Sequence, residues 1–332
     1  MNTKQLFTAF TKVKVMVVGD VMIDSYLWGK VERISPEAPV PVLAWQGEEK
    51  RLGGAANVAL NLQALGAKVM LCSVVGADSR GKDFKQLLKK EKLSTKGICI
   101  LPQRQTSLKR RIIAGSQHLL RIDREDTDDL GSEERQLFTV KVLDKVTKSF
   151  CPDVLVFQDY DKGLLCREII SHLFRWAKAQ QIPTVVDPKH RHFFDYKNCS
   201  LFKPNLKEVC TALGKDFSTD RKGLAAADRE LRKRMPQLFS MITLSEKGVF
   251  ISDGKVRKIV PTQPRVVSDV CGAGDTVLSI AALGMALGLA LEQIAALANI
   301  AGGQVCEQPG VVPVDRKKLM EEVREMNLPP LE

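Results

Sequence analysis

The sequence has 332 residues, 44% of them hydrophobic and 27% charged, which is enough chain to bury a large core without disulfide or metal staples. Eight cysteines with no C-x-x-C pair exclude zinc-ribbon and thioredoxin readings and suit reduced thiols in a cytoplasmic protein. A net charge of +11 with dispersed basic residues and only 6% aromatics offers no stacking platform for nucleic acid, so the charge is assigned to anionic small molecules and a solvated surface.

Residues Met1 to Lys14 mix charges with too short an apolar run for a secretory signal. Val13–Val18 reads as a buried strand, and Ala38–Trp45 as a strand outside the main pattern. A helix is expected over Ala55–Leu65, a buried strand over Lys68–Val75 and a second helix over Lys82–Lys92. Ser107–Asp123 reads as an antiparallel pair turning at Ala114-Gly115-Ser116-Gln117, with Lys109 and Arg111 on one face and Arg110 on the other. Strand Asp153–Phe157, helix Arg167–Gln181, strand Thr184–Val186, helix Lys207–Leu213 and strand Met241–Leu244 continue the alternation. The apolar stretch from Asp275 to Glu292 is shorter than the ~20 residues that span a bilayer and reads as a buried helix, so no membrane partner is expected.

This β-α-β rhythm predicts an α/β fold: one domain over residues 1–332, a mostly parallel sheet with helices on both faces, and a small β-strand lid from about 31–50 and 105–124. A basic strand pair outside the main sheet suits a cover over a charged substrate, and equally a solvated surface hairpin. Exposed lid edges also invite pairing with a second copy, so a homodimer through the lid is expected.

Ser268-Asp269-Val270-Cys271-Gly272-Ala273-Gly274-Asp275-Thr276 precedes the apolar helix. Gly272 and Gly274 permit backbone shapes that expose successive N–H groups, and the helix adds its positive end to the same spot. Such a nest, from Gly272 through Ala273 to Gly274, stabilises charge on a transferring phosphoryl group, and Asp275 stands where it can take the proton of an acceptor hydroxyl. The plain alternative is a glycine turn capped by Asp275. Asn205 and Glu208, spaced i, i+3 at a helix start, project toward one site and also suit a capping pair. Cys271, beside the helix N-terminus, is expected to favour the thiolate and to be shielded by phosphate bound at the loop; the plain alternative is a packed, inert cysteine.

The segment Asp269 to Thr276 resembles the C-terminal signature of the ribokinase (PfkB-type) carbohydrate kinases, and three further matches occur in the family order. Gly53-Gly54-Ala55-Ala56-Asn57-Val58-Ala59 is similar to the N-terminal glycine signature. Asn205-Leu206-Lys207-Glu208 is similar to the N-x-x-E motif that organises Mg²⁺ and phosphate. Thr243-Leu244-Ser245-Glu246-Lys247-Gly248 is similar to the strand and turn of the nucleotide pocket. The resemblance covers about residues 13 to 315 and implies a ribokinase-like fold, ATP and Mg²⁺, with Thr243, Ser245, Gly248 and Asp269 at the nucleotide.

A narrower resemblance marks the acceptor side. Gly19-Asp20-Val21-Met22-Ile23-Asp24, the run Arg33 to Val42, Thr106-x-x-Lys109-x-Arg111, Arg121-Ile122-Asp123, Asp159-Tyr160-x-Lys162-Gly163 and Asp187-Pro188-Lys189 are similar to one branch, the D-glycero-β-D-manno-heptose-7-phosphate 1-kinases. It implies Asp24, Gly53, Gly54 and Asn57 at the sugar, with Asp159 and Lys162 nearby. Lys109, Arg111 and Arg121 suit a substrate phosphate, and Lys189 the phosphates of ATP. Taken alone, Asp24 also suits a turn and each basic residue a solvated surface. In that branch the kinase is often fused to a nucleotidyltransferase bearing an H-x-G-H-type motif, which these residues lack, so a separate nucleotidyltransferase is expected to act next. Cys271 replaces a common threonine. The rival readings are a kinase of the same family for another sugar phosphate or nucleoside, and a catalytically silent sugar sensor.

Overall fold

The computed structural model describes residues 2–115 and 117–326. The chain opens with α1 (Thr3–Phe10), which buries Leu6, Phe7 and Phe10, and enters the core as β1 (Lys14–Gly19). Two long strands follow, β2 (Val21–Ile34) and β3 (Pro41–Gly54), then α2 (Ala55–Ala64), β4 (Lys68–Gly76), α3 (Ser79–Lys90) and β5 (Ile98–Leu101). A second pair, β6 (Leu108–Ala114) and β7 (Gln117–Arg124), precedes α4 (Ser132–Phe138), a π-helical turn over Thr139–Leu143, and α5 (Asp144–Ser149). The chain continues through β8 (Val154–Gln158), α6 (Arg167–Ala179), β9 (Thr184–Asp187), β10 (Leu201–Phe202), α7 (Leu206–Leu213), α8 (Arg221–Arg234), β11 (Phe239–Thr243), β12 (Val249–Ser252) and β13 (Arg257–Val260). Helices α9 (Ala273–Ala286), α10 (Leu291–Cys306) and α11 (Arg316–Glu325) complete it.

Strand β1 is apolar at consecutive positions because both of its faces are covered. Val15 and Val17 pack with Phe7, Val58, Leu278 and Leu297 of α1, α2, α9 and α10, whereas Met16 and Val18 pack with Phe138, Leu173 and Leu224 of α4, α6 and α8. The nine-stranded sheet between these layers runs β13-β12-β11-β10-β9-β8-β1-β4-β5 and is parallel except for the β11-β12-β13 meander. The expected architecture, a mostly parallel sheet with helices on both faces and a strand lid, is the one observed. Among the described residues, no helix is long and apolar enough to cross a membrane.

The lid is a four-stranded sheet in the order β3-β2-β6-β7, parallel between β2 and β6 and antiparallel elsewhere. Its first pair is longer than the sequence suggested. Val21 to Tyr26 are all buried, so no polar alternation separates this run from the core strand before it. The β6-β7 turn was expected at Ala114 to Gln117; of these, Ser116 lies outside the described residues. The register pairs Asp24 with Lys109 and Arg51, Tyr26 with Arg111 and Glu49, Lys109 with Asp123, and Arg111 with Arg121. Directly paired residues point the same way, so all of these share one face of the lid.

Candidate active site

Parallel strands deliver their polar residues at their carboxyl ends, the usual ligand edge of an α/β sheet. Here Asp20 follows β1, Gln158 ends β8, Asp187 ends β9 and Lys203 follows β10. The anion loop meets that edge. Gly272 is the N-cap of α9 with φ +82°, a conformation that disfavours any side chain. Asp269 shapes the turn: one carboxylate oxygen accepts the Cys271 N–H at 3.0 Å and the other the Gly310 N–H at 2.9 Å. As first-turn residues, Gly274 and Asp275 present N–H groups that a helix cannot satisfy internally.

Asp275 is buried beneath this loop at 4% exposure. Its Oδ2 accepts from Asn57 Nδ2 at 2.7 Å, and its Oδ1 accepts from Gln158 Nε2 at 3.1 Å and Tyr160 Oη at 3.0 Å. Burial pushes the carboxyl up to about 7; the charge of Asp187 adds to the rise, and hydrogen bonds from Asn57 and Tyr160 with the charge of Lys203 oppose it. A carboxylate that gains and loses a proton near neutrality is well matched to general-base work.

Two lysines stand by. Lys203, 3% exposed, pairs with Asp187 at 3.0 Å, and its Nζ lies 3.9 Å from where a Cβ on Gly274 would stand. The sequence reading passed over Lys203; its place just past a strand and before Pro204-Asn205 was the available signal. Lys189 pairs with Glu208, and although burial works against its charge, Asp187 and Glu208 more than offset that and raise its pKa. Asn205 and Glu208 form a reciprocal capping box at α7: Asn205 Oδ1 accepts the Glu208 N–H and Glu208 Oε2 accepts the Asn205 N–H, both at 2.8 Å. Among the described residues no three His, Cys, Asp or Glu side chains form a direct ligand cluster. The oxygen donors of Glu208, already capped and ion-paired, fit a largely hydrated Mg²⁺ held through water.

On the lid side, Asp24 is buried and receives Arg111 Nη1 at 2.5 Å. Arg111 and Arg51 sit over the Tyr26 ring at 5.2 and 5.0 Å. Gly53 is obligatory because a Cβ there would collide with the Asp24 carboxylate, and Gly54, at φ +63°, opens α2 toward Asn57. Lys162 pairs with Glu125 at 2.5 Å and Arg121 with Asp123 at 3.0 Å. Lys109 has no ion pair among the described residues; burial, reinforced by Lys162 and Arg121, pulls its ammonium below the usual lysine range against the charge of Glu125.

Asp159 turns inward. It accepts from Tyr196 Oη at 2.7 Å and the Asp161 N–H at 2.8 Å, and burial with the Asp20 charge pushes its carboxyl up to about 7. Asp20, absent from the expected set, accepts the N–H groups of Tyr160 at 2.9 Å, Lys162 at 3.0 Å and Leu164 at 3.3 Å and so fixes that loop. Away from the lid, Thr243 bridges to Asn205, and the turn after it has Ser245 at φ +55° and Gly248 at φ +90°. Of the two readings of Cys271, the packed thiol is the one favoured. Burial, with Asp269 adding to it, pushes the Cys271 thiol up to about 11, so the helix end does not generate a thiolate there.

The chain has clear relatives. A family model described as pfkB family carbohydrate kinase matches residues 12–317. The bifunctional protein HldE of Geotalea uraniireducens (strain Rf4) is 39% identical over 323 residues, 96% of this chain but 65% of that protein. HldE of Geobacter metallireducens is 40% identical over 304 residues, 91% of this chain and 61% of that protein, so the chain spans under two thirds of either relative. Among solved structures, phosphofructokinase-2 from Escherichia coli aligns with a TM-score of 0.76 at 19% identity, covering 94% of this chain and 99% of that one. Arabidopsis thaliana ribokinase aligns with a TM-score of 0.71 at 15% identity, covering 93% and 99%. These likenesses show that the fold is ribokinase-like.

Proposed function

Because the chain belongs to the pfkB family of carbohydrate kinases, phosphotransferases that use an alcohol group as acceptor, we propose that it transfers the terminal phosphoryl of ATP to O1 of a sugar already phosphorylated at its far end. D-glycero-β-D-manno-heptose 7-phosphate is the proposed acceptor, giving the 1,7-bisphosphate for ADP-heptose and lipopolysaccharide core synthesis. The relatives named HldE support this choice. So does the acceptor side: Arg111 and Arg121 of the lid and Lys162 of the loop after β8 each have a carboxylate, whereas the half-buried Lys109, on the same lid face as Arg111, has none among the described residues. That unpaired cation is the observation that carries the reading, because a half-buried cation without a carboxylate is readily matched by an anionic group of the substrate.

In this mechanism Asp24 and Asn57 orient the sugar, and Asp275 takes the proton of the O1 hydroxyl as the oxygen attacks phosphorus. The bond from phosphorus to the bridging oxygen of ADP breaks as the new O–P bond forms. N–H groups of the loop Gly272 to Gly274 meet the charge spreading over the phosphoryl oxygens. Lys189 and Lys203 add positive charge beside them. Mg²⁺, when bound, neutralises phosphate charge, with Glu208 and Asn205 as the residues that hold its water shell. Thr243, Ser245 and Gly248 form the nucleotide edge.

A homodimer through the lid accompanies this reading, since β7 is an unpaired edge and Trp45, Leu120 and Ile122 are exposed on the lid strands. The free thiols and the use of ATP suit the cytoplasm. A nucleotidyltransferase activity then consumes the product. The test is ADP release across sugars, nucleosides and sugar phosphates. Heptose 7-phosphate should give the highest kcat/KM; a higher value for a nucleoside or an unphosphorylated sugar overturns the assignment.

A further inference from the structure

The three hydrogen bonds to Asp275 are unevenly shared. Oδ1 receives Gln158 Nε2 and Tyr160 Oη at 3.1 and 3.0 Å, while Oδ2 receives Asn57 Nδ2 at 2.7 Å and no other donor among the described residues. A carboxylate oxygen has two in-plane acceptor positions, so Oδ1 is filled and Oδ2 keeps one lone pair. We infer that Tyr160 is a positioning residue for phosphoryl transfer: with Gln158 it closes Oδ1 and leaves Oδ2 as the oxygen that takes the acceptor's proton. This rests on Asp275 being the base.

The orientation of both donors is fixed by their surroundings. Gln158 lies between two carboxylates, reaching Asp187 Oδ2 at 3.3 Å as well as Asp275, so its NH₂ must face both and its Oε1 must face away. That Oε1 is buried without a partner among the described residues, so the amide leaves its own acceptor unsatisfied while donating to both acids. Tyr160 has Lys189 over its ring at 5.4 Å, and Lys189 is in turn held by Glu208. Burial and the neighbouring Asp275 keep the phenol protonated, hence a donor at every working pH.

The charged groups around this pair come from each packed element. Asp187 faces Asp275 and Tyr160 from the end of β9, Lys203 faces Asp275 from beyond β10, Lys189 approaches from the loop after β9, and Asp24 of β2 faces the phenol. Helix α2 contributes only the neutral Asn57 at this carboxylate. The tyrosine hydroxyl is therefore a neutral donor that is removable without changing any charge at the site.

Tyr160→Phe deletes that hydroxyl and keeps the ring beneath Lys189. Losing a donor raises the pKa of a carboxylate, so the acid limb of the kcat/KM profile should move up by about half a unit to one unit, the scale of one neutral hydrogen bond. KM for ATP should stay within about twofold. Gln158→Met removes the other Oδ1 donor and should move the limb the same way, which also decides the matter should Tyr160→Phe fail to fold. An unmoved limb in the folded variants overturns the inference, whether kcat falls or not. Asp275→Asn measured alongside separates the two levels: an active Asp275→Asn refutes the base itself, whereas an inactive one with unmoved limbs refutes only the role of Tyr160.

Discussion

The amide of Asn57 donates to Asp275 Oδ2 at 2.7 Å and joins two glycine signatures that lie 218 positions apart in the chain. Asn57 is held in its turn by Asn61, whose Nδ2 reaches the Asn57 carbonyl at 2.9 Å, while Asn61 Oδ1 accepts from Thr276 Oγ1 at 3.0 Å. The first two turns of α2 and the first turn of α9 are thus laced together side by side, which sets the proposed base at a fixed height under the anion loop.

Asp275→Asn should fold and bind ATP yet lose roughly 10²-fold or more in kcat, the scale of general-base catalysis. Asparagine keeps the size but takes no proton. Steady-state kinetics with ATP titrated separately checks this, and near-normal turnover would remove Asp275 from the mechanism.

The raised pKa of Asp275 has a second signature, in stability. Its carboxyl is near 7 in the folded chain and near the ordinary 3.8 when unfolded. Between those values the folded state binds more protons at this carboxyl, so its contribution to stability falls as pH rises through that window and is flat above it. The shift corresponds to on the order of 4 kcal/mol of buried-charge penalty that asparagine does not carry. The stability of Asp275→Asn relative to wild type should therefore improve from pH 5 to pH 8, by thermal melts without ligand. A pH-independent difference would contradict the assignment.

Lys109→Met should raise KM for a phosphorylated acceptor far more than for its dephosphorylated analogue. A charge-assisted bond contributes roughly 1.5–3 kcal/mol, equivalent to about ten- to a hundredfold, and the analogue never makes it. Arg111→Met should weaken both acceptors, because it also strips Asp24 of its ion-pair partner. Equal losses with Lys109→Met would make that lysine structural.

Cys271 should alkylate slowly at neutral pH and roughly tenfold faster per unit as pH approaches its thiol value, near 11, since only the thiolate reacts. The exposed Cys151 should label first. Mg·ATP should slow Cys271 further and leave Cys151 unchanged. Peptide mapping after timed alkylation distinguishes these rates, and rapid labelling of Cys271 at pH 7 would show that burial does not hold its thiol protonated.

The sheet, the helices that cover it and the loop at Gly272 were legible because each is a local pattern: β-branched runs, 3.6-residue periodicity, glycine before an apolar helix. Lid strand β2 was read only in part, since a run buried on both sides has no alternation to mark it. Gln158, Asp20 and Lys203 were missed for a different reason. Each is a single polar residue at a strand end, and its meaning depends on the strand order that brings β1, β8, β9 and β10 side by side. Asn205 and Glu208 were legible as a pair, and the structure shows their capping bonds. Cys271 stood between two readings because position at a helix start speaks for the thiolate, while burial and the adjacent Asp269 carboxylate, visible only in the fold, speak against it.

Segment 309–311 touches both halves of the site. Arg51 of β3 donates to the carbonyls of Pro309 and Val311 at 3.1 Å, Tyr26 of β2 accepts the Val311 N–H at 3.1 Å, and Gly310 donates to the same Asp269 that shapes the anion loop. A displacement of the lid is thus felt as a tug on Asp269. The two substrates should consequently bind as thermodynamically linked ligands. Whatever factor the sugar contributes to nucleotide affinity, the nucleotide must return to the sugar. Calorimetric titrations in both orders would give that factor twice, and Arg51→Met, which cuts one link of the chain, should bring it closer to one.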